Sequence, residues 1–118
     1  MLKLNHKNLD VWKISMKLIK LLYNLTEKYP KSEQYGIISQ IRRAAISTSL
    51  NIAEGASRRT QNDRKRFYEI SRSSLVEIDT QMEISLMLNF INNSDISSVD
   101  ETMNHLFAKM SNLIIKSH

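Results

Sequence analysis

The chain has 118 residues, of which 42% are hydrophobic, and these values favour a single folded domain, residues 1–118, with its own core. Two glycines and one proline leave little material for tight turns, so long helices are favoured. The lack of cysteine excludes disulfides, thiolate nucleophiles and sulfur-bound zinc, and it fits a reducing cytoplasm. No stretch approaches the roughly 20 apolar residues of a membrane span, so we expect a cytoplasmic protein without a membrane partner.

The positive charge is concentrated in the first part of the chain. The net charge is +5, yet residues 1–72 carry 15 Lys and Arg against 6 Asp and Glu, whereas residues 73–118 carry 2 against 6. A folded chain with this division can present a basic side to an anionic partner and an acidic side elsewhere. A solvated surface on which the charges are unevenly distributed, without any partner, would give the same numbers of charged residues.

The first predicted helix spans about residues 8–28, with Asn8 as a cap and Pro30 as the stop. Two neighbouring apolar stripes run along it, so its apolar surface exceeds what one neighbouring helix would cover. Its remaining face carries a line of lysines. This line is either a binding surface or an ordinary solvated face.

The second predicted helix spans about residues 36–54 and is also apolar on two faces. Gly55 follows it, and glycine is the residue that most readily adopts the left-handed conformation found at helix ends. We therefore predict that the helix ends at Gly55 with a left-handed residue.

The third predicted helix spans about residues 60–90, because Thr60 and Asp63 form a capping pair and no Gly or Pro interrupts the stretch. Serines lie on its inward stripe, where their hydroxyls need hydrogen-bond partners once buried. We predict that Ser71, Ser74 and Gln81 meet polar groups of the second helix: Ser47, Asn51 or Glu54.

The fourth predicted helix spans about residues 98–116, with Ser98 and Glu101 as a capping box. It has one apolar stripe, which includes Met103 and Phe107, and a solvated outer face. Four helices joined by short links predict an all-α protein, an antiparallel up-down-up-down four-helix bundle.

No residue pattern indicates catalysis or a cofactor. The histidines His6, His105 and His118 lack metal-ligand spacing within one helix, and none follows a Glu by three residues as in carboxylate-bridged iron bundles. Gly36 and Gly55 stand alone, so no phosphate-binding glycine loop is present. We expect a protein that is not an enzyme and holds no metal.

A cluster of basic residues surrounds the junction of the second and third predicted helices. Guanidinium groups bind phosphate oxygens in bidentate fashion, so this cluster is a candidate nucleic-acid surface. Aromatic residues are few there, and base stacking is not strongly indicated. The primary candidates are Arg58, Arg59, Arg64, Lys65 and Arg66, and the lysine line of the first helix, Lys13, Lys17 and Lys20, is the secondary one.

A second candidate surface would join copies of the chain. The first two helices are apolar on two faces, and a monomer would expose several of these side chains together, which soluble proteins usually avoid. The arginines of the second helix either bind phosphate or pair with a carboxylate, from Glu54 or from a neighbouring subunit. The predicted interface residues are Leu18, Leu22, Arg42, Arg43, Ile46 and Leu50.

Much of the chain resembles a known protein family. The segments LDVWKISMKLIKLLYNLTEKYP and QIRRAAISTSLNIAEGASRRT, followed by SLVEIDTQ, are similar to the 23S rRNA-intervening sequence proteins, over about residues 9–90. The resemblance implies a homopentameric ring of four-helix protomers. It is shared more distantly with the accessory protein of diversity-generating retroelements, which partners a reverse transcriptase and nucleic acid.

The residues and the resemblance together support two alternatives. The first is a non-catalytic, oligomeric nucleic-acid-binding or RNA-associated accessory protein that binds RNA or DNA through its basic surface. The second is a protein–protein scaffold or adaptor, with a reverse transcriptase-like partner, whose arginines stabilise the oligomer. Salt dependence separates them, because phosphate binding weakens steeply with salt whereas hydrophobic assembly persists.

Overall fold

The computed structural model describes residues 1–116 and folds them into four α-helices, with no β-strand in this range. Two short 3₁₀ helices, Asn5–Asn8 and Lys31–Glu33, precede the first and second of them. The prediction of an all-α fold is confirmed, and no helix within these residues is long and apolar enough to cross a membrane. The helices are α1 (Asp10–Thr26), α2 (Ile37–Ser57), α3 (Gln61–Met87) and α4 (Ser97–Lys116).

The four helices form a bundle around one apolar core. α1 packs against α2 and α4, and α3 packs against the same two helices. Every helix contributes large side chains that are fully removed from water, and each such side chain stabilises the fold by about 1.5–3 kcal/mol. The largest are Leu18 and Leu22 of α1, Ile41 and Ile52 of α2, Leu75 and Ile78 of α3, and Leu106 and Met110 of α4.

The ends of the helices differ in part from the prediction. Thr60 caps α3 as expected, since its Oγ1 accepts a hydrogen bond from the backbone N of Asp63 at 3.1 Å. α3 ends at Met87, before the predicted residue 90, and Asn89 adopts a positive φ of 61° in the link that follows. Ser98 lies inside α4 rather than at its cap.

α2 does not end at Gly55, so the predicted left-handed cap is wrong. The helix continues to Ser57, and neither glycine of the chain has a positive φ. A Cβ at Gly55 would lie 2.6 Å from Cε1 of Tyr68 and 3.2 Å from the carbonyl oxygen of Arg64. α2 and α3 approach closely at this position. Glycine is required there because only a residue without a Cβ fits against the buried tyrosine ring.

The predicted polar contacts between α2 and α3 are present in part. The Ser71 hydroxyl donates to the Thr48 carbonyl oxygen at 2.7 Å, and the Ser74 hydroxyl donates to Ser47 Oγ at 3.2 Å. Asn51 joins them by donating to the Ser47 carbonyl oxygen at 2.8 Å. Gln81 is buried but does not join, because its Oε1 has no hydrogen-bond partner within the described residues. The small hydroxyl side chains therefore let the two helices pack closely while their polar groups stay hydrogen-bonded.

Candidate nucleic-acid interface

The basic cluster lies where α2 ends and α3 begins. Only Arg58, Arg59 and Thr60 separate the two helices, and Arg58 and Thr60 both have extended backbone. The close approach at Gly55 brings the last turn of α2 against the first turns of α3. Residues 58–66 thus form a short, tightly held segment at one end of the bundle, termed the basic turn.

Two arginines of the basic turn flank one aromatic ring. The guanidinium carbon of Arg58 lies 4.7 Å from the centroid of the Phe67 ring, and that of Arg66 lies 4.6 Å from the same centroid. Cation–π attraction at exposed sites is worth about 0.5–1 kcal/mol, so the ring favours these positions of both side chains. The sequence pattern did not assign Phe67 to this site, yet its ring is the group that organises it.

Carboxylates neutralise the flanking arginines only in part. Arg58 Nη2 lies 3.0 Å from Glu54 Oε2, and Arg66 Nη2 lies 3.9 Å from Asp63 Oδ1. All four side chains are substantially exposed, and exposed ion pairs contribute only about 0–1 kcal/mol. A phosphate group can therefore compete for these arginines at low free-energy cost.

Arg64 is half-buried and donates its hydrogen bonds to the protein backbone. Its Nη1 donates to the carbonyl oxygens of Arg58 at 3.1 Å and Arg59 at 2.8 Å. These hydrogen bonds satisfy acceptors just beyond the end of α2, where a helix leaves carbonyl groups unpaired. Burial raises the pKa of the Tyr68 hydroxyl above its usual value, and the nearby Arg64 charge lowers this pKa by a smaller amount. Arg64, predicted to bind phosphate, is thus placed as the residue that fixes the basic turn.

The other candidate cations are distributed over two surfaces. Arg59 is exposed, and within residues 1–116 its side chain forms no ion pair or hydrogen bond. Lys65 lies one helical turn from Glu69, with Nζ 4.0 Å from the carboxylate. The lysine line, Lys13, Lys17 and Lys20, is exposed on the outside of α1, a different helix from those that form the basic turn.

The structure removes two residues from the predicted interface between subunits. Leu18 and Leu22 are 0% exposed and belong to the core of the bundle, so their side chains are not available to a neighbouring chain. Helical periodicity placed them correctly on an apolar stripe, but could not tell which of two adjacent stripes faces inward. Ile46 and Leu50 remain exposed on α2, with Arg43 one turn away.

Arg42 contacts residues of α1 in the same chain. Its Nε donates to Thr26 Oγ1 at 2.9 Å, and its Nη2 donates to the Tyr23 carbonyl oxygen at 3.3 Å. The guanidinium carbon also lies 4.4 Å from the centroid of the Tyr23 ring. Arg42 therefore joins α2 to the end of α1, and no carboxylate within residues 1–116 forms an ion pair with it.

An exposed groove between α3 and α4 was not predicted from the sequence. It has a volume of about 240 Å³ and is lined by Val76, Met103 and Phe107 together with Asp79 and Asp100. The periodicity of α4 assigned Phe107 to the buried stripe, yet its side chain is 41% exposed. The signal that could have found the groove is Val76, an apolar residue on the outer side of α3.

Within residues 1–116, no group of three or more His, Cys, Asp or Glu side chains is arranged to hold a metal ion. His118, one of the three histidines weighed as a ligand, lies outside the described residues.

The sequence of the chain matches a known protein family. Residues 7–112 match the model of the family described as 23S rRNA-intervening sequence protein. The match covers α1, α2 and α3 entirely, ends within α4, and includes the basic turn and Phe67. No curated protein sequence matches the chain.

Proposed function

The chain belongs to the 23S rRNA-intervening sequence protein family, and from this premise we propose that it is a non-catalytic, RNA-associated accessory protein that binds nucleic acid through its basic turn. The observation that carries the proposal is the pair of guanidinium groups that lie close to the Phe67 ring centroid, Arg58 at 4.7 Å and Arg66 at 4.6 Å. The family description refers to a sequence within 23S ribosomal RNA, which is consistent with an RNA-associated role.

The geometry of the basic turn suits phosphate better than bases. The contacts of Arg58 and Arg66 with Phe67 place two guanidinium groups, which carry N–H donors, near the same ring. Such planar donors match phosphate oxygens in bidentate fashion. The single aromatic ring is already covered by the two arginines, so it offers little surface for base stacking. Binding would thus be directed at the backbone of RNA or DNA, with Arg59 as a further contact and the lysine line as a secondary surface.

The proposed protomer is an antiparallel up-down-up-down bundle that assembles into a ring-like homo-oligomer in the cytoplasm. Antiparallel packing of α2 and α3 is supported by two contacts between them. Gly55, near the end of α2, lies against Tyr68, whereas Thr48, earlier in α2, contacts Ser71, which is later in α3. The pentameric number rests on the family resemblance. A ring would repeat the basic turn around its circumference, and such repetition raises the apparent affinity for a long polyanion without any new contact.

The alternative function is a protein–protein scaffold, for example for a reverse transcriptase-like partner. It is favoured by the ion pairs that Arg58 and Arg66 already form with Glu54 and Asp63. In this case the arginines would stabilise the fold or the oligomer and would not contact phosphate.

The test is nucleic-acid binding at several salt concentrations by Arg59→Ala with Arg66→Ala. A labelled RNA hairpin, a DNA duplex and a single-stranded DNA are the probes, measured by fluorescence anisotropy between about 50 and 200 mM salt. The variant is expected to bind more weakly, and its salt dependence should flatten by nearly one unit for each phosphate that the protein no longer neutralises.

The matched control is Lys28→Ala with Lys31→Ala, which removes the same charge. These lysines lie before α2, and the basic turn lies after it, so the 21 residues of α2 separate them by roughly 30 Å at 1.5 Å per residue. The control is expected to change affinity much less. Equal affinity of the wild type and the Arg59/Arg66 variant for all three probes, with intact assembly, would exclude the basic turn as the binding site.

A further inference from the structure

Two exposed apolar surfaces lie on opposite sides of the bundle. Because α1 and α3 each pack against both α2 and α4, the four helices form a square in which the α1/α2 side is opposite the α3/α4 side. The α1/α2 side exposes Met16, Ile46 and Leu50, and is termed the donor face. The α3/α4 side contains the groove lined by Val76 and Phe107, which is termed the acceptor groove.

The acceptor groove combines an apolar floor with acidic groups. Val76 and Phe107 are 53% and 41% exposed, which is unusual for large apolar side chains that lie next to one another. Asp79 and Asp100 line the same groove, one from each helix. Within residues 1–116 neither aspartate forms an ion pair, and the Asp100 carboxylate only accepts a long hydrogen bond of 3.4 Å from Asn104. The groove thus fits an apolar partner that carries positive charge.

The donor face has the complementary chemistry. Ser49 Oγ lies 3.5 Å from Met16 Sδ, which places the methionine of α1 beside the α2 residues on either side of Ser49. Leu50 is 60% exposed and lies one helical turn from Ile46, so the three apolar side chains form one surface.

Cations surround this apolar surface. Lys13 and Lys20 lie about one turn before and after Met16 on α1, and Arg43 lies about one turn before Ile46 on α2. All three are exposed, and none forms an ion pair within the described residues. The donor face therefore offers apolar side chains and positive charge to the same partner.

We infer that the acceptor groove of one copy receives the donor face of a second copy. Val76 and Phe107 would be covered by Met16 and Leu50, and the unpaired aspartates of the groove would meet the cations beside the donor face. The division of charge along the chain, basic before residue 73 and acidic after it, supports this pairing. The inference rests on the self-association that is part of the proposed function. It identifies the two surfaces through which neighbouring copies would contact each other.

This contact is heterologous, since it joins two different surfaces. Each copy uses both surfaces at once, so the chain of contacts either closes into a ring or continues as a filament. A pairing of two identical faces would instead stop at a dimer. The two arrangements predict different behaviour when one surface is destroyed.

The test is to destroy one surface at a time. In the groove variant, Asp79→Lys and Asp100→Lys place cations opposite the cations of the donor face. In the face variant, Met16→Glu and Leu50→Glu place charges where apolar contact is needed. Each variant alone is expected to give the mass of the monomer, 13.7 kDa, by light scattering after gel filtration. An equimolar mixture is expected to form a dimer of one copy of each, because one intact donor face and one intact groove remain.

The matched control is Glu77→Lys with Glu101→Lys, which changes the charge by the same amount on the same two helices but away from the groove. It is expected to keep the wild-type mass. Equal helical circular dichroism and a cooperative thermal transition would show that each variant is folded, since every substituted side chain is exposed. The monomeric variants are expected to melt at a lower temperature than the assembled wild type, because association stabilises the folded chain.

Three results would overturn the inference. They are a groove variant that keeps the wild-type mass, a mixture that stays monomeric, and a wild-type chain that is itself a monomer. None of them bears on the basic turn, which is unchanged in every variant. Affinity for the RNA hairpin, measured on the same samples, therefore reports on the proposed function separately.

Discussion

Gly55→Ala tests whether close packing of α2 on α3 shapes the basic turn. The added Cβ would lie 2.6 Å and 2.8 Å from Cε1 and Cδ1 of the Tyr68 ring, about 1 Å closer than a favourable carbon–carbon contact. The ring is buried, so it cannot swing into solvent to make room. Overpacking of this kind costs about 1–3 kcal/mol, whereas replacing an interior helical glycine by alanine gains about 1 kcal/mol.

The net expectation is a destabilisation of about 1 kcal/mol for Gly55→Ala and more for Gly55→Val, which adds two further methyl groups. For a domain of this size, about 1 kcal/mol lowers the thermal midpoint by about 4 °C. Circular dichroism melts and urea denaturation measure this change. We also expect weaker RNA binding, because displacement of α3 from α2 moves Arg66 and Phe67 relative to Arg58.

Two controls isolate the contact with the ring. Gly36→Ala is expected to be nearly neutral, because a Cβ there would meet the end of the flexible Glu33 side chain at 3.3 Å. In a Tyr68→Leu background, Gly55→Ala is expected to become neutral or stabilising by up to about 1 kcal/mol, since the rigid ring is gone. A higher midpoint for Gly55→Ala in the wild-type background would refute the packing explanation.

Two further predictions concern neighbouring residues. Arg64→Ala should lower the free energy of unfolding by about 1 kcal/mol, because two carbonyl groups of the basic turn lose their donor. Arg59→Ala is the control and should change the free energy of unfolding by less than about 0.5 kcal/mol in the same urea titration. Burial raises the pKa of Tyr68 above 10.0, so the unfolded chain loses this proton first and stability should fall as pH rises above about 10. Tyr68→Phe should make that fall less steep in melts recorded across this pH range, and an identical slope would contradict the assignment.

The order and number of helices follow from local sequence alone. Apolar residues at helical spacing, few glycines and the Thr60 cap predict four helices, and each of these signals acts within a few residues of the chain. The basic turn is predictable for the same reason, since its five cations lie within nine consecutive residues, 58–66. The family match over residues 7–112 agrees with the resemblance carried by these same segments.

The orientation of each apolar face was decided only by packing. α1 has two adjacent apolar stripes, and periodicity treats them alike, yet the stripe with Leu22 is buried and Met16 of the other is exposed. Periodicity also failed to predict the acceptor groove. It assigned Phe107 to the apolar stripe of α4, although this side chain is 41% exposed.

The roles of single residues at the site also required the tertiary structure. From the sequence, Gly55 could be explained either as a left-handed residue that ends α2 or as a residue without a Cβ at a close contact between helices. Only the position of the Tyr68 ring shows that the second explanation applies. Arg64 and Arg66 are two residues apart and chemically identical, but one donates to backbone carbonyls and the other lies on Phe67. These differences depend on the distance between α2 and α3, which is set by side chains far apart in the chain and has no local signature.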